Sequence, residues 1–204
     1  AEAIPILEES GLIIPVGKWI IQNAFSMCTE CRKYYPEFRV SINLSYVQIL
    51  KSPLMMELKQ MIDHSGISCS GIIVELTESG YLEGTPAVRS VWNDMKQLRI
   101  QIALDDFGTG YSNLMNISNL EPDIVKLDRG FTLKALSRSY EYQLMQYVIE
   151  MVHKLNQYVC VEGVETKEDL EKIKALGPDL IQGYYYSKPC SRDEFLKKFF
   201  DYSE

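Results

Sequence analysis

The sequence contains little histidine. Its two histidines, His64 and His153, both fall in segments with a helical pattern, away from the ends of the apolar runs. A metal centre built on histidine ligands and a catalytic triad that uses a histidine base are therefore disfavoured.

Long apolar runs are also missing. No segment approaches the roughly 18 to 20 apolar residues that a membrane-spanning helix needs, and no secretory signal is recognisable. The chain starts at Ala1 and enters a helix-like stretch directly. We expect a piece excised from a longer protein that is cytoplasmic or anchored to a membrane through a segment not included here.

The sequence contains fewer basic than acidic residues. Lys and Arg number 21 against 28 Asp and Glu, which gives a net charge of −7. Duplex DNA and RNA are poor candidate partners, because phosphate contacts require Lys and Arg. A nucleotide substrate stays possible if metal ions supply the positive charge.

The five cysteines do not form a recognisable framework. Their number is odd, and several lie in apolar or helical runs, so we expect reduced thiols in a cytosolic compartment. Cys28 and Cys31 form a CxxC pair on a predicted helix, but no second pair exists to complete a zinc site. Ordinary helix positions are the favoured interpretation.

What the sequence does contain is six short apolar runs, each followed by polar or charged residues. Those residues are Asn43; Glu75 and Glu78; Asp105 and Asp106; Lys126 and Asp128; Glu162 and Glu165; and Gln182. A parallel α/β barrel places its catalytic groups at the carboxyl ends of successive strands in this way. Seven carboxylates facing one lysine need cations to neutralise them, so the pattern predicts divalent metals.

Helical patterns separate the apolar runs. They cover roughly residues 16–34, 53–65, 86–98, 139–156, 166–176 and 191–200. Strand–helix alternation predicts parallel strands joined by right-handed crossovers. An open doubly wound sheet is the competing fold, but no glycine-rich phosphate loop follows the first strand. We therefore predict one domain over residues 1–204, a TIM-like (β/α)8 barrel truncated at its N-terminus, with about six of the eight strands.

Asp105 and Asp106 are adjacent acidic residues that directly follow an apolar run. Neighbouring strand residues point to opposite faces, so both can serve one metal site only where the strand ends. Gly108 and Gly110 permit such an exit. One aspartate could bridge two metals while the other binds a single ion; the alternative is a solvated turn.

The pairs Glu75/Glu78 and Glu162/Glu165 repeat one spacing, with the first glutamate at a strand tip and the second in the following loop. Carboxylates are ordinary ligands of Mg²⁺ and Mn²⁺. For Glu165 a second role is open, that of an acid at the N-terminus of the next helix.

Asn43, Lys126 and Tyr184 each keep two interpretations. Asn43 offers a neutral oxygen ligand or a helix cap. Lys126 needs a partner in a buried strand; surrounding acids would keep it charged, which favours holding a water or phosphate oxygen over Schiff-base chemistry. Tyr184, which follows Gln182-Gly183, could stack on a base or simply pack.

These residues lie in segments that resemble the EAL domain family, which hydrolyses the bacterial second messenger cyclic di-GMP. The matching segments are Ile4-Pro5, EESGLI at 8–13, SINLS at 41–45, VELTES at 74–79, DDFGTGYS at 105–112, KLDRGF at 126–131, VEGVET at 161–166 and QGYYYSKP at 182–189.

The resemblance implies roles for each position. It implies a modified (β/α)8 barrel, hydrolysis of cyclic di-GMP to linear pGpG, two divalent cations (Mg²⁺ or Mn²⁺), a homodimer and additional regulatory domains in the parent chain. The implied metal ligands are Asn43, Glu75, Asp105, Asp106 and Glu162. Lys126 is implied to hold the attacking water or a phosphate oxygen. The implied substrate residues are Asp128, Glu165, Gln182 and Tyr184, and the residues implied to couple dimerisation to the site are Glu78, Phe107 and Gly108.

One departure from the family pattern bears on activity. The Glu-Ala-Leu motif that names the family lies upstream of the Ile4-Pro5 segment and is absent from this sequence. Its glutamate is a metal ligand in the family, so the resemblance leaves two functions open: a phosphodiesterase, with the activity of this piece alone also left open, or a receptor that binds cyclic di-GMP without cleaving it.

Overall fold

The computed structural model describes residues 3–77, 85–109, 117 and 121–200. Its α-helices in those ranges are α1 (Ala3–Ser10), α2 (Ile13–Cys31), α3 (Tyr46–Lys51), α4 (Leu54–Ser65), α5 (Pro86–Gln97), α6 (Arg129–Ser137), α7 (Ser139–Lys154), α8 (Lys167–Lys174) and α9 (Arg192–Phe200). Its strands there are β1 (Val40–Asn43), β2 (Ile72–Thr77), β3 (Gln101–Phe107), β4 (Ile124–Leu127), β5 (Tyr158–Glu162) and β6 (Leu180–Gln182).

The chain divides into two compact units. The first comprises residues 1–102 and 191–204, and the second comprises residues 103–190. All six predicted strands are present among the described residues, and each of the six predicted helices is found with ends shifted by a few residues. The short helix α3 and the helix α6 were not predicted.

In the first unit, β1 and β2 run parallel, with Val40 opposite Ile72 and Asn43 opposite Glu75. Strand β2 is buried along nearly its whole length, as a parallel strand covered on both faces should be. Helix α2 packs on β1, α3 and α4.

The start of helix α3 follows directly from the sequence after β1. The Oγ atom of Ser45 accepts a hydrogen bond from the Val47 backbone N–H at 3.1 Å, and Oε1 of Gln48 accepts one from the Ser45 N–H at 3.1 Å. This reciprocal capping satisfies N–H groups that the helix itself leaves unpaired. The cap of helix α3 therefore lies at Ser45, only two residues after Asn43 at the end of β1.

In the second unit, β3, β4, β5 and β6 pair in chain order, and every described pair is parallel. Ile124 lies opposite Tyr158, and Cys160 lies opposite Leu180. Helices α6 and α7 pack on each other and on β5. The buried side of α7 carries Met145, Ile149 and Val152 at the spacing of one helix face.

Two further expectations, on membrane-spanning helices and on the cysteines, can be compared with the structure. Among the described residues, no helix combines the length and apolar character needed to cross a bilayer. All five cysteines are free thiols. Cys28 and Cys31 are fully buried, and burial raises the pKa of the Cys31 thiol to about 11, which makes it a poor nucleophile and metal ligand.

Candidate active site

The second unit aligns the predicted site residues on one face of its sheet. Lys126 lies opposite Cys160, and Glu162 lies opposite Gln182. Paired residues in a sheet share a face, and alternate residues along a strand return to it. Lys126, Glu162 and Gln182 therefore share a face at the carboxyl ends of β4, β5 and β6.

Lys126 is the centre of this group. Its Nζ atom lies 2.7 Å from Oε1 of Glu162 and 3.0 Å from Oδ1 of Asp105. Its side chain is only 6% exposed, against 17% for Glu162 and 13% for Asp105. A charged amine can remain in such a place because two carboxylates compensate for the lost hydration. The predicted convergence of Asp105, Lys126 and Glu162 is found.

The two aspartates of β3 lie at a backbone irregularity. The pairing of β3 with β4 shifts register between Leu104 and Phe107, and Asp106 has a positive φ of 59°. A left-handed residue interrupts the alternation that would send adjacent side chains to opposite faces. The Asp106 N–H donates to Oδ1 of Asp105 at 3.0 Å, so this carboxylate contacts both Lys126 and the local backbone.

The residues that follow the aspartates fix the exit from β3. Phe107 is 3% exposed, and its carbonyl accepts a hydrogen bond from the Asp128 N–H at 3.0 Å. Gly108 has a φ of +100°, and a Cβ there would lie 3.0 Å from the ring of Phe131. Within the second unit these two residues anchor the β3 exit to the start of α6. Their predicted part in coupling to dimerisation stays a prediction.

In the first unit, Asn43 and Glu75 lie opposite each other at the carboxyl ends of β1 and β2. Glu75 is 6% exposed; its carboxylate accepts a hydrogen bond from the Ser41 hydroxyl. The backbone carbonyl of Glu75 accepts from the Leu44 N–H at 3.0 Å. An amide oxygen and a carboxylate thus share one strand-end position, which suits a hard divalent cation.

The remaining predicted site residues differ from one another in their exposure and in their contacts. Asp128 caps helix α6, since its Oδ1 accepts from the Gly130 N–H at 2.7 Å; this is a structural role that the sequence interpretation did not assign. Gln182 is exposed. Tyr184 is 54% exposed, and the Lys188 amine lies 5.7 Å from the centre of its ring, so Tyr184 is an available surface rather than core packing. Glu78 lies outside the described residues.

Sequence reasoning missed Arg129. Its guanidinium donates from Nη2 at 2.7 Å and from Nε at 3.2 Å to Oε1 of Glu165. This contact raises the pKa of Arg129. The signal that could have found it is its position, three residues after Lys126, which matches the spacing of Glu165 after Glu162.

Gly163 is the residue that lets the loop after β5 pass beneath Arg129. Its φ is +80°, and an added Cβ would lie 2.4 Å from Cγ and 3.1 Å from Cα of Arg129. Only glycine meets both demands without cost. The loop that joins Glu162 to Glu165 is therefore shaped by a close contact with the start of α6.

Replacing Gly163 with alanine tests this contact. We expect Gly163→Ala to lower the free energy of unfolding by about 2–4 kcal/mol, since backbone strain and steric overlap add. Gly177→Ala is the matched control: Gly177 has a similar φ of +76° with nothing within 4 Å of an added Cβ, so it reports the backbone strain alone. Equal losses in urea unfolding of the two variants would show that the overlap with Arg129 is unimportant.

No group of three or more His, Cys, Asp and Glu side chains among the described residues is arranged to hold a metal ion. The donors nevertheless have the right chemistry, because Asp105 and Glu162 converge on one cation, the Lys126 amine. Carboxylates brought together around a positive charge are hard ligands of the kind that Mg²⁺ and Mn²⁺ take.

Parallel strands linked by helices, with acids and one buried lysine at the strand carboxyl ends, are typical of an α/β protein of the TIM-barrel class. A family model described as "EAL domain" matches residues 1–189. The chain belongs to the EAL domain family, and the predicted family membership is confirmed.

Known relatives are similar over most of the chain. PdeF of Escherichia coli (strain K12), named a cyclic di-GMP phosphodiesterase, is 31% identical over 186 residues, which is 91% of this chain and 25% of that protein. The chain spans about a quarter of the length of the first curated relatives that it matches.

Solved structures confirm the fold class. The EAL enzyme Bd1971 with cAMP and cyclic di-GMP bound has a TM-score of 0.90 at 29% identity, over 96% of this chain and 54% of that one. The PaMucR phosphodiesterase in complex with cyclic di-GMP has a TM-score of 0.87 at 26% identity, over 95% of this chain and 78% of that one. The predicted TIM-like barrel class is therefore correct.

Proposed function

We propose that the protein containing this chain is a metal-dependent phosphodiesterase that hydrolyses cyclic di-GMP to linear pGpG in bacterial second-messenger signalling. The observation that carries the proposal is the buried Lys126, held between Asp105 and Glu162 at the carboxyl ends of parallel strands. Family membership and the names of the relatives supply the substrate.

The proposed metal site uses hard oxygen donors, with two divalent cations, Mg²⁺ or Mn²⁺, as cofactors. The proposed ligands are Asn43, Glu75, Asp105, Asp106 and Glu162. When bound, such cations supply an activated water and neutralise phosphate charge. They would also explain how a chain with a net charge of −7 accepts an anionic substrate.

Lys126 would act on the oxygens of the reaction. Its amine is charged next to two acids, so it can donate hydrogen bonds to the attacking water or to a phosphate oxygen and hold it in line. A Schiff-base role needs a neutral amine, which the two short ion pairs disfavour. Asp128, Glu165, Gln182 and Tyr184 are proposed to line the substrate site; Tyr184 offers an exposed ring on which a base could stack.

The decisive experiment is turnover of cyclic di-GMP by the full-length protein. With Mg²⁺ or Mn²⁺ we expect linear pGpG as the product, with loss of activity on chelation and inhibition by added calcium. Tight binding of cyclic di-GMP with no pGpG, in the presence of either metal, would instead identify the receptor function. Failure to bind the dinucleotide at all would reject both.

We further propose a homodimer, with regulatory domains elsewhere in the parent chain and a cytoplasmic location. Helix α7 carries Tyr140, Leu144 and Tyr147 on its exposed side, at a spacing that forms one apolar stripe, and a second copy of the chain is its proposed partner. The free, buried Cys28 and Cys31 suit a reducing compartment. Light scattering on the purified protein decides the dimer, which a monomeric mass at micromolar concentration would reject.

A further inference from the structure

We propose that Arg129 is a positioning residue for the active site: through Glu165 it holds the loop after β5, and so holds Glu162 in place. The kinetic test of this inference rests on the proposed function, because it measures turnover of cyclic di-GMP. The inference itself is drawn from contacts within the second unit.

Two ion pairs join the same two segments of chain in parallel. Lys126 meets Glu162 at 2.7 Å, and Arg129 meets Glu165 at 2.7 Å. The two cations are three residues apart at the end of β4, and the two acids are three residues apart at the end of β5. Glu162 and Glu165 are thus paired with different cations.

The loop between the two acids is fixed on its other side by β6. The Val164 N–H donates to the Gln182 carbonyl at 3.3 Å, and the Val164 carbonyl accepts from the Tyr185 N–H at 3.1 Å. Gly183 lies so close that an added Cβ would be 2.0 Å from the Val164 carbonyl oxygen. Val164 itself is fully buried.

Arg129 closes the remaining side of that loop, because its side chain lies across Gly163. The loop from Glu162 to Glu165 is thus held between the residues after β6 and the first residue of α6. Release of the Arg129 contact would free Glu165 and Gly163 while leaving the β6 contacts intact. We expect Glu162, the residue immediately before Gly163, to lose its fixed orientation.

Stability does not account for an arginine at this position. The pair is exposed, with 58% of the Arg129 side chain and 37% of the Glu165 side chain accessible, and exposed ion pairs contribute little to folding. Arg129 is also the first residue of helix α6, where the helix dipole disfavours a cation. Arg129 thus makes helix α6 less favourable, and its ion pair adds little to the stability of the fold. The positioning of Glu165 explains the arginine better.

Replacing Arg129 with glutamine is the test. We expect Arg129→Gln to lower kcat for cyclic di-GMP about 10-fold and the Mn²⁺ affinity by a similar factor, as loss of residues that orient metal ligands does. KM should change less than kcat, because the loss acts through the orientation of Glu162, although Glu165 is also proposed to line the substrate site. Arg129→Lys should give an intermediate loss, since an amine keeps the charge without the planar fork.

Arg138→Gln is the matched control. Arg138 also forms an exposed ion pair, with Glu141 at 3.1 Å, but on the segment that joins α6 to α7. Its removal should leave kcat and Mn²⁺ affinity unchanged, and the melting temperature should shift no more in Arg129→Gln than in Arg138→Gln.

A second comparison separates positioning from direct contact with the substrate. In a Glu165→Gln background, Arg129→Gln should cause no further loss of kcat, because the arginine acts through that glutamate. Additive losses, a raised KM at unchanged kcat, or unchanged kcat and Mn²⁺ affinity would each overturn the inference. If the wild-type protein does not cleave cyclic di-GMP, the proposed function fails, and the Mn²⁺ titration of the same variants still decides the role of Arg129.

Discussion

Glu162→Gln is expected to lower turnover of cyclic di-GMP at least 10²-fold, the scale of losing a key electrostatic group. The substitution keeps the size of the side chain and removes its charge. It would take a ligand from the proposed metal site and one of the two acids that hold Lys126. Asp105→Asn removes the other and should have an effect of the same size.

The measurement is steady-state formation of pGpG at saturating Mg²⁺ or Mn²⁺. Glu171→Gln is the control, since Glu171 lies on the exposed face of α8 and its carboxylate is 3.9 Å from the Lys167 amine. It should turn over at the wild-type rate. Wild-type activity in either Glu162→Gln or Asp105→Asn would count decisively against the metal assignment.

Lys126→Met is expected to lower turnover roughly 10³-fold while binding of Mn²⁺ is retained. Methionine replaces the buried stem of the lysine but cannot donate to a water or a phosphate oxygen. The two carboxylates it leaves behind would still be available to cations. Loss of activity with retained metal binding would separate the role of the lysine from that of the ligands.

The same substitution should affect stability in a metal-dependent way. Without metal, Asp105 and Glu162 lose the cation between them, and we expect a loss of about 3 kcal/mol, as when a buried ion pair is broken. Mn²⁺ should restore much of it, because a ligand that binds only the folded state stabilises it. Lys154→Met, at the exposed end of α7, should lower stability by less than about 1 kcal/mol, equally with and without Mn²⁺. A fully active Lys126→Met would show that Lys126 holds neither the water nor the phosphate.

Much of the fold could be predicted from local patterns. The six apolar runs became six strands because buried parallel strands need apolar residues on both faces. Helix ends such as that of α4 were readable because Gly66 takes the left-handed conformation there, with a φ of 66°. Helix α6 was missed because Gly130 in its first turn weakens the helical pattern.

The candidate site was predicted less completely. Asp105, Lys126 and Glu162 were expected to lie close together, because the carboxyl ends of parallel strands share an edge, and they do. The left-handed Asp106 was not foreseen, since only the register shift between β3 and β4 demands it. Arg129 was overlooked because its only sequence signal is its spacing after Lys126, which gains a meaning once the structure places Glu165 next to it.

The sequence by itself determined the fold class, the family and which side chains stand at the strand ends, since these depend on residue type, order and the period of the strand. Tertiary structure alone decided which cation meets which acid: Lys126 with Glu162, and Arg129 with Glu165. Those pairings depend on the register of β4 against β5 and on the close passage of Gly163 beneath Arg129. Both are distances between segments far apart in the chain, which no local pattern encodes.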